Sequence, residues 1–353
     1  MKYPLHVIIR KKISKLINSL LGLFRKKSAF KTTLNKEDIK TIVLIRPNYR
    51  IGNILFLTPL INELHKHLPE AQIDIIVGMK LAGNILEPMP NVNKIIDIPR
   101  KLLLQPLDLL RYIKESRKKK YDLAINVAGS STSAQIVMTL IKAQYKASFS
   151  SKKLWAHFTH MQERGQKRFS HMGLESLEFL RFFDIKIPKQ APSLDIKLTK
   201  SEIDSAKNRL NKLLNENHRK REEHKVVALF RNARFDKKIQ DEWWRELIEA
   251  MKKEDGSFIF VDILSPDIPT KLDDNLLEYA TKDLRELGAF FRVCDLFISA
   301  DTGPLHLAVA SQAKIAALFT KTEIPVYGAL GEKNKNIDIN NLSPQEVAQK
   351  IIF

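Results

Sequence analysis

Apolar residues fall along the chain in two alternating patterns. Short unbroken runs such as Thr41-Ile42-Val43-Leu44-Ile45 and Ile73-Asp74-Ile75-Ile76-Val77 read as buried strands. Between them, apolar positions recur at helical spacing. A turn from Arg46 to Gly52 leads into a predicted helix from about Ile54 to Leu68. Lys94-Ile95-Ile96-Asp97-Ile98 predicts a third strand, after the loop Pro88-Met89-Pro90-Asn91. A helix is expected near 105–118, then the strand Tyr121 to Val127. Strands alternating with helices imply parallel pairing and an α/β sheet.

The pattern breaks at residues 200–225, which are charged and helix-prone, and then starts again. Val226-Val227-Ala228-Leu229-Phe230 and Phe258-Ile259-Phe260-Val261 predict strands. A helix from Leu284 to Val293 precedes a strand at 295–299, and Ile315-Ala316-Ala317-Leu318-Phe319 closes the run. The expectation is two Rossmann-like halves facing a cleft. Residues 39–199 form the first, 226–353 the second, and 200–225 a linker helix.

Residues 1–38 stand apart from this repeat. The first 31 hold nine Lys/Arg and no acid, with apolar residues at Ile9, Ile13, Leu16, Ile17, Leu20, Leu21 and Phe24. That spacing predicts a basic amphipathic helix, the signature of contact with a membrane surface. Packing on a protein core is the other reading. No apolar run is long enough to span a bilayer. Lysines 11, 12 and 15 interrupt the stretch that a secretory signal would need.

Composition extends this picture. The 353 residues include 59 Lys+Arg against 40 Asp+Glu, a net charge of +19, which favours an anionic partner. No zinc-finger or RNA-binding signature accompanies the charge, so a nucleic-acid partner is not expected. The single cysteine, Cys294, excludes an intrachain disulfide and a Cys-based metal site, and it fits a core thiol. The nine histidines are scattered, and no metal-ligand cluster or Gly-x-Ser-x-Gly elbow is present.

The most specific chemistry lies in Ser299-Ala300-Asp301-Thr302-Gly303-Pro304-Leu305-His306-Leu307. A strand runs into a helix, and Pro304 suits the first helical position. The N–H groups around Thr302, Gly303 and Leu305 should then stand unpaired at a helix N-terminus, where phosphate binds. Two other loops end strands. The first, Arg46 to Asn53, holds one glycine and is neither a dinucleotide fingerprint nor a P-loop. Its Gly52-Asn53 either caps the next helix or forms part of a site. The second, Arg231-Asn232-Ala233-Arg234-Phe235-Asp236-Lys237-Lys238, holds four cations. They either grip a diphosphate or are simply solvated. Trp243, Trp244 and Phe290-Phe291 read as packing residues.

Three stretches together resemble glycosyltransferase family 9, the bacterial heptosyltransferases that use ADP-heptose to build lipopolysaccharide. They are Ile42 to Arg46 with Ile51 to Leu60, Lys237-Lys238 with Trp243-Trp244, and Cys294 to Ile298 with Asp301 to Ala308. Ile239-Gln240 replace the Trp-Pro of the family's second segment. The resemblance implies a GT-B fold, with the nucleotide-sugar donor on the C-terminal half and the acceptor on the N-terminal half. It also implies inversion at the transferred sugar without a metal. No cofactor is implied, because the ADP-linked sugar is a substrate. By this resemblance Asp301, Thr302, Gly303 and His306 contact the donor. Thr302 and the Gly303 region face the diphosphate, Lys237 meets leaving-group charge, and His306 supports phosphate or loop.

The sequence departs from the family at Asn53, where the family places the aspartate taken as general base. An amide can orient a hydroxyl but cannot take its proton. Three readings follow: a base elsewhere, a different acceptor chemistry, or lost transfer. An intact donor motif favours a working transferase with an altered base. The expected activity is sugar transfer to lipopolysaccharide core or another anionic lipid-linked acceptor. The expected location is the cytoplasmic face of the bacterial inner membrane, held there by residues 1–31. The alternative is a catalytically impaired nucleotide-sugar or glycolipid binding protein of the same fold.

Overall fold

The computed structural model describes residues 33–47, 49–79, 82–98, 114, 117–129, 131–149, 158–163, 168–233 and 237–352. The basic amphipathic helix expected in residues 1–31, the helix expected near 105–118, and Arg234 lie outside the described residues, save a few positions near 114–118.

Two all-parallel sheets of six strands form the frame. The first contains β1 (Thr41–Arg46), β2 (Gln72–Val77), β3 (Val92–Asp97), β4 (Lys120–Asn126), β5 (Lys142–Phe149) and β6 (His160–Gln162). Its order is β3-β2-β1-β4-β5-β6. The second contains β7 (Lys225–Phe230), β8 (Phe258–Ile263), β9 (Leu277–Tyr279), β10 (Leu296–Ala300), β11 (Ile315–Phe319) and β12 (Lys335–Asp338). Its order is β12-β11-β10-β7-β8-β9. The buried runs at β1, β10 and β11 show why the sheets are parallel: they are apolar on both faces and must be covered by helices on each side.

Each sheet reverses its strand order at one place, between β1 and β4 in the first and between β7 and β10 in the second. Ligands of open α/β sheets sit beyond the carboxyl ends of strands at such a point. The loops after β1, β7 and β10 therefore lie where a ligand is expected.

The predicted helix from Ile54 to Leu68 is two helices, α1 (Ile51–Leu55) and α2 (Thr58–His67). Pro59 at the start of α2 has no N–H to give Leu55. Instead the buried Thr58 hydroxyl donates to the Leu55 carbonyl at 2.8 Å. After β11 the chain adds β12 and a C-terminal helix, so Phe319 does not close the second unit. Cys294 caps the C-terminus of α7 (Leu284–Val293) rather than lying within it, and burial pushes its thiol pKa up.

Between the sheets runs α5 (Lys200–Glu216), opened by a Thr199/Glu202 capping box. It follows the helices α3 (Ala82–Leu86) and α4 (Thr132–Leu140) of the first unit. Glu202 also meets buried Arg285 of α7 at 2.5 Å. Arg285 further donates to the carbonyls of Ile85 (3.3 Å), Ile196 (2.9 Å) and Lys197 (3.1 Å). One guanidinium thus ties the first unit, the linker and the second unit together. Its hydrogen bonds hold the Glu202 carboxyl down to about 2.

Candidate active site

The site is built at the start of α8 (Gly303–Ala310), directly after β10. Thr302 is the N-cap, so Gly303 rather than Pro304 is the first helical residue. The Thr302 hydroxyl accepts from the Leu305 N–H at 3.4 Å and lies 3.1 Å from the Ser299 hydroxyl. This corrects the expectation of an unpaired Leu305 N–H: the cap satisfies it, as caps do. The Gly303 N–H sits in the first turn, which has no intrahelical acceptor to offer. A side chain at Gly303 would face Ile51 of the first unit at 3.5 Å.

Asp301 is the hub. Its Oδ2 accepts from Lys237 Nζ at 2.5 Å and from the Thr322 hydroxyl at 2.7 Å. Its Oδ1 lies 3.4 Å from His306 Nε2. Burial alone would raise the carboxyl pKa, but the bonds from His306, Lys237 and Thr322 outweigh it and hold Asp301 well below the usual carboxylate range. A fixed anion, a paired ammonium and a helix N-terminus thus meet at one point. Lys237 keeps 30% of its side chain exposed and is the member open to a ligand.

Arg231 takes no part in this. The residue is 4% exposed, and its guanidinium binds buried Asp262, with Nε at 3.1 and 3.0 Å from the two carboxylate oxygens. It also donates to Asp241 at 3.1 Å and to the Thr270 carbonyl at 3.0 Å. It props the loop and does not grip a diphosphate. Trp244, on α6 (Asp241–Glu254), is fully buried in the core of the second unit and is a packing residue.

The first unit meets this constellation through α1, which packs on α8. A Cβ on residue 52 would lie 2.8 Å from His306 Cδ2, so only glycine lets the imidazole lie against this backbone. Phe56 sets its ring edge-on to His306, with centroids 4.8 Å apart. Asn53 does not cap α1; Arg50 holds that position with no side-chain cap bond. The Asn53 Oδ1 instead accepts from Arg46 NH2 at 3.3 Å, and Arg46 NH1 reaches the Val127 carbonyl after β4 at 3.4 Å. Asn53 therefore sits at the switch point of the first sheet, as Asp301 sits at that of the second.

A short hook lies behind. His171 accepts from the Gly173 N–H at its Nδ1, so its Nε2 carries the proton and donates to the Gly328 carbonyl at 3.0 Å. The Met172 N–H donates to the Val326 carbonyl at 3.0 Å, in α9 (Ile324–Tyr327). Burial lowers the His171 pKa to about 4. Around Thr322, an open cavity of about 480 Å³ is lined by Thr320, Lys321, Glu323, Asp338 and Asn340 as well.

All the residues expected at the donor, Lys237, Asp301, Thr302, Gly303 and His306, thus converge. Asn53 comes in on the opposing helix. Sequence reasoning missed Thr322, Arg46 and the seating role of Gly52. Gly52 had a signal, a glycine ahead of a helix, which also fits a cap; the other two carry none. Among the described residues there is no cluster of three or more His, Cys, Asp or Glu able to hold a metal ion. Nor is any helix among them long and apolar enough to cross a membrane.

The site and fold have known counterparts. The chain is 25% identical over 288 residues to lipopolysaccharide heptosyltransferase 3 of Escherichia coli K12, covering 77% of this chain and 80% of that protein. It superposes on the glycosyl transferase family 9 protein of Veillonella parvula with a TM-score of 0.70 at 16% identity, covering 91% of this chain and 97% of the other. E. coli ADP-heptose lps heptosyltransferase II gives a TM-score of 0.67 at 16% identity, with 88% and 97% coverage. E. coli heptosyltransferase WaaC with ADP-2-deoxy-2-fluoro heptose gives 0.67 at 17%, with 88% and 98%. These likenesses fit a GT-B type fold. The family described as glycosyltransferase family 9 (heptosyltransferase) matches residues 109–352, which take in β4 to β6 of the first sheet and the second unit, and the chain, a glycosyltransferase, belongs to it.

Proposed function

We propose that this enzyme transfers heptose from ADP-heptose to a lipopolysaccharide-core acceptor, with inversion and without a metal. The observation that carries the reading is the Asp301 hub: Lys237, Thr322 and His306 gathered on one carboxylate at the N-terminus of α8. In this reading residues 226–353 hold the donor and residues 39–199 the acceptor. The diphosphate lies over the Thr302–Gly303 turn, where the helix dipole favours negative charge. Lys237 is shared between Asp301 and the departing phosphate, so the developing charge meets an ammonium already in place. Residues 1–31 hold the enzyme on the anionic inner face of the inner membrane, beside a lipid-linked acceptor.

Asn53 favours one competing reading, a binding protein of the same fold that has lost transfer. The test is incubation of the full chain with ADP-heptose and detergent-dispersed lipopolysaccharide of truncated core, in EDTA, with ADP release measured. The transferase releases ADP in step with acceptor extension. Tight ADP binding with no release, across a panel of nucleotide sugars, would leave only the binding protein. Deletion of residues 1–31 is expected to release the chain from phosphatidylglycerol vesicles; unchanged co-sedimentation would overturn the membrane assignment.

A further inference from the structure

The second sheet carries polar groups beyond the Asp301 hub, on the loops that follow β11 and β12. Strand β10 pairs with β11 and β11 with β12, so Ala300, Phe319 and Asp338 end neighbouring strands on one edge. Two strand spacings, about 10 Å, separate the end of β10 from the end of β12. A phosphate and a pyranose ring together fill such a span. The cavity of about 480 Å³ around Thr322 lies at this edge, within the roughly 300–1,000 Å³ of small-molecule sites. It is joined to the hub directly: Thr322 lines it and donates its hydroxyl to Asp301 Oδ2 at 2.7 Å.

The lining has the chemistry of a polyol site. Glu323 caps α9 without a side-chain bond, and its exposed carboxylate has no partner among the described residues. Asp338 Oδ1 accepts from the Asn340 N–H at 3.0 Å and from its Nδ2 at 2.8 Å, which leaves Asp338 Oδ2 and the Asn340 carbonyl oxygen open. Lys321 adds a donor, and Ile324 and Pro325 an apolar wall. Carboxylates accept from sugar hydroxyls, and an amide both donates and accepts. Neither Lys321 nor Glu323 is spent in an ion pair among the described residues, whereas Arg231 and Lys237, after β7, both are. One lysine against two carboxylates disfavours a phosphate here and suits a neutral polyol. Two carboxylates also fall short of a metal-binding cluster.

Resting on the transferase reading above, we infer that this cavity is the subsite for the donor's transferred sugar, whose hydroxyls bond to Glu323, Asp338 and Asn340. With the diphosphate over the Thr302–Gly303 turn, the sugar attached to it extends along the strand ends toward β12. Thr322 stands where phosphate and sugar meet. Its proton goes to Asp301, and its oxygen keeps a lone pair for a sugar hydroxyl. The labour is divided accordingly. Lys237, Asp301 and the start of α8 recognise the diphosphate, which every nucleotide sugar of this type carries. The loops after β11 and β12 tell one sugar from another. A sugar with a hydroxyl missing or inverted leaves a carboxylate or amide without its partner, which is how such a site rejects it.

The experiment compares wild type, Glu323→Ala and Asn340→Ala as full chains in two assays. One is calorimetry with ADP and with ADP-2-deoxy-2-fluoro-heptose, in EDTA; the other is ADP release with ADP-heptose and truncated-core lipopolysaccharide. Both side chains are exposed, so thermal unfolding should be unchanged. Both variants are expected to keep ADP affinity within about threefold. Glu323→Ala should lose affinity for the sugar-bearing analogue by about tenfold or more and Asn340→Ala by about fivefold, the worth of a charged and a neutral hydrogen bond. The KM for ADP-heptose should rise in step. Equal losses for ADP and the analogue would overturn the inference, because the loops would then serve the nucleotide or merely support the hub. Unchanged analogue affinity would overturn it as well, and a raised KM for lipopolysaccharide alone would give the cavity to the acceptor instead. A wild type that binds both ligands and never releases ADP would overturn the transferase reading, while the calorimetry still decides the subsite.

Discussion

The turns after β1 and after β10 occupy equivalent places, each at the reversal of strand order in its own sheet, and they are furnished in opposite ways. The β10 turn is dense with charge: Asp301 meets Lys237, Thr322 and His306 within 3.4 Å. The β1 turn sets the Asn53 amide against the Arg46 guanidinium. The first can bind and stabilise charge unaided. The second, at Asn53, can orient a neutral group, and that amide takes no proton. The difference teaches that the charged groups of the site are concentrated on the turn of the second unit, and that the first unit meets them through a neutral amide.

The sharpest way to break that comparison is Asp301→Ala. It strands Lys237, frees His306 and removes the anchor of Thr322, so ADP affinity and transfer should each fall by about 10²-fold or more, a loss of order 3 kcal/mol at 1.4 kcal/mol per decade. Calorimetry and ADP release check this together, and an effect on transfer alone would show that the carboxylate does not shape the donor site. Next is Gly52→Ala. Its methyl would meet His306 at 2.8 Å, and overpacking of this kind costs about 1–3 kcal/mol. Transfer should fall more than tenfold with ADP binding nearly unchanged, and thermal unfolding reads the stability loss.

A third prediction concerns the seam in acid. His171 is held neutral in the fold, with its pKa lowered to about 4 from 6.5. Above pH 6.5 it has no effect on stability, since both states are neutral. Between pH 6.5 and 4 the unfolded chain takes the proton and the folded one does not, so stability falls by up to about 1.4 kcal/mol per pH unit. Urea unfolding of wild type and His171→Phe across that window should show the slope shrinking in the variant. The smallest effect is expected from Asn53→Asp alone. With the proton taken by a group elsewhere, the rate should change by less than about threefold, and a gain of about 10²-fold would place the missing proton acceptor in the β1 turn.

Much of this was legible from pattern. The helix Leu284–Val293 and the strand before α8 match their predicted positions closely, because a strong apolar face and a cap at Asp283 mark the one and an unbroken buried run the other. Strand β5 was not, because Lys142, Gln144 and Lys146 interrupt its apolar residues near the sheet's edge. The break between α1 and α2 needed Pro59 to be weighed against a strong helical period. At the site, Asp301 to His306 announced themselves through a strand, a cap and a helix in sequence. Thr322 lies 21 residues on, in a loop with no periodicity, and only the sheet brings it back. Arg231 looked like a phosphate ligand because sequence shows its charge but not Asp262, which neutralises it.

Arg285 has a consequence for how such proteins can be recombined. Its donors are spent on Ile85, Ile196 and Lys197 in one half and on Glu202 in the connection, while the residue itself belongs to the other half. Three of these acceptors are main-chain carbonyls, so no side-chain swap can compensate a shifted backbone, and lysine lacks the planar fork to reach them all. A chimera that joins one half of this chain to the complementary half of a relative inherits only part of the knot. The natural cut for exchange therefore lies outside the stretch from Ile85 to Arg285, which makes the two halves a matched pair rather than interchangeable modules.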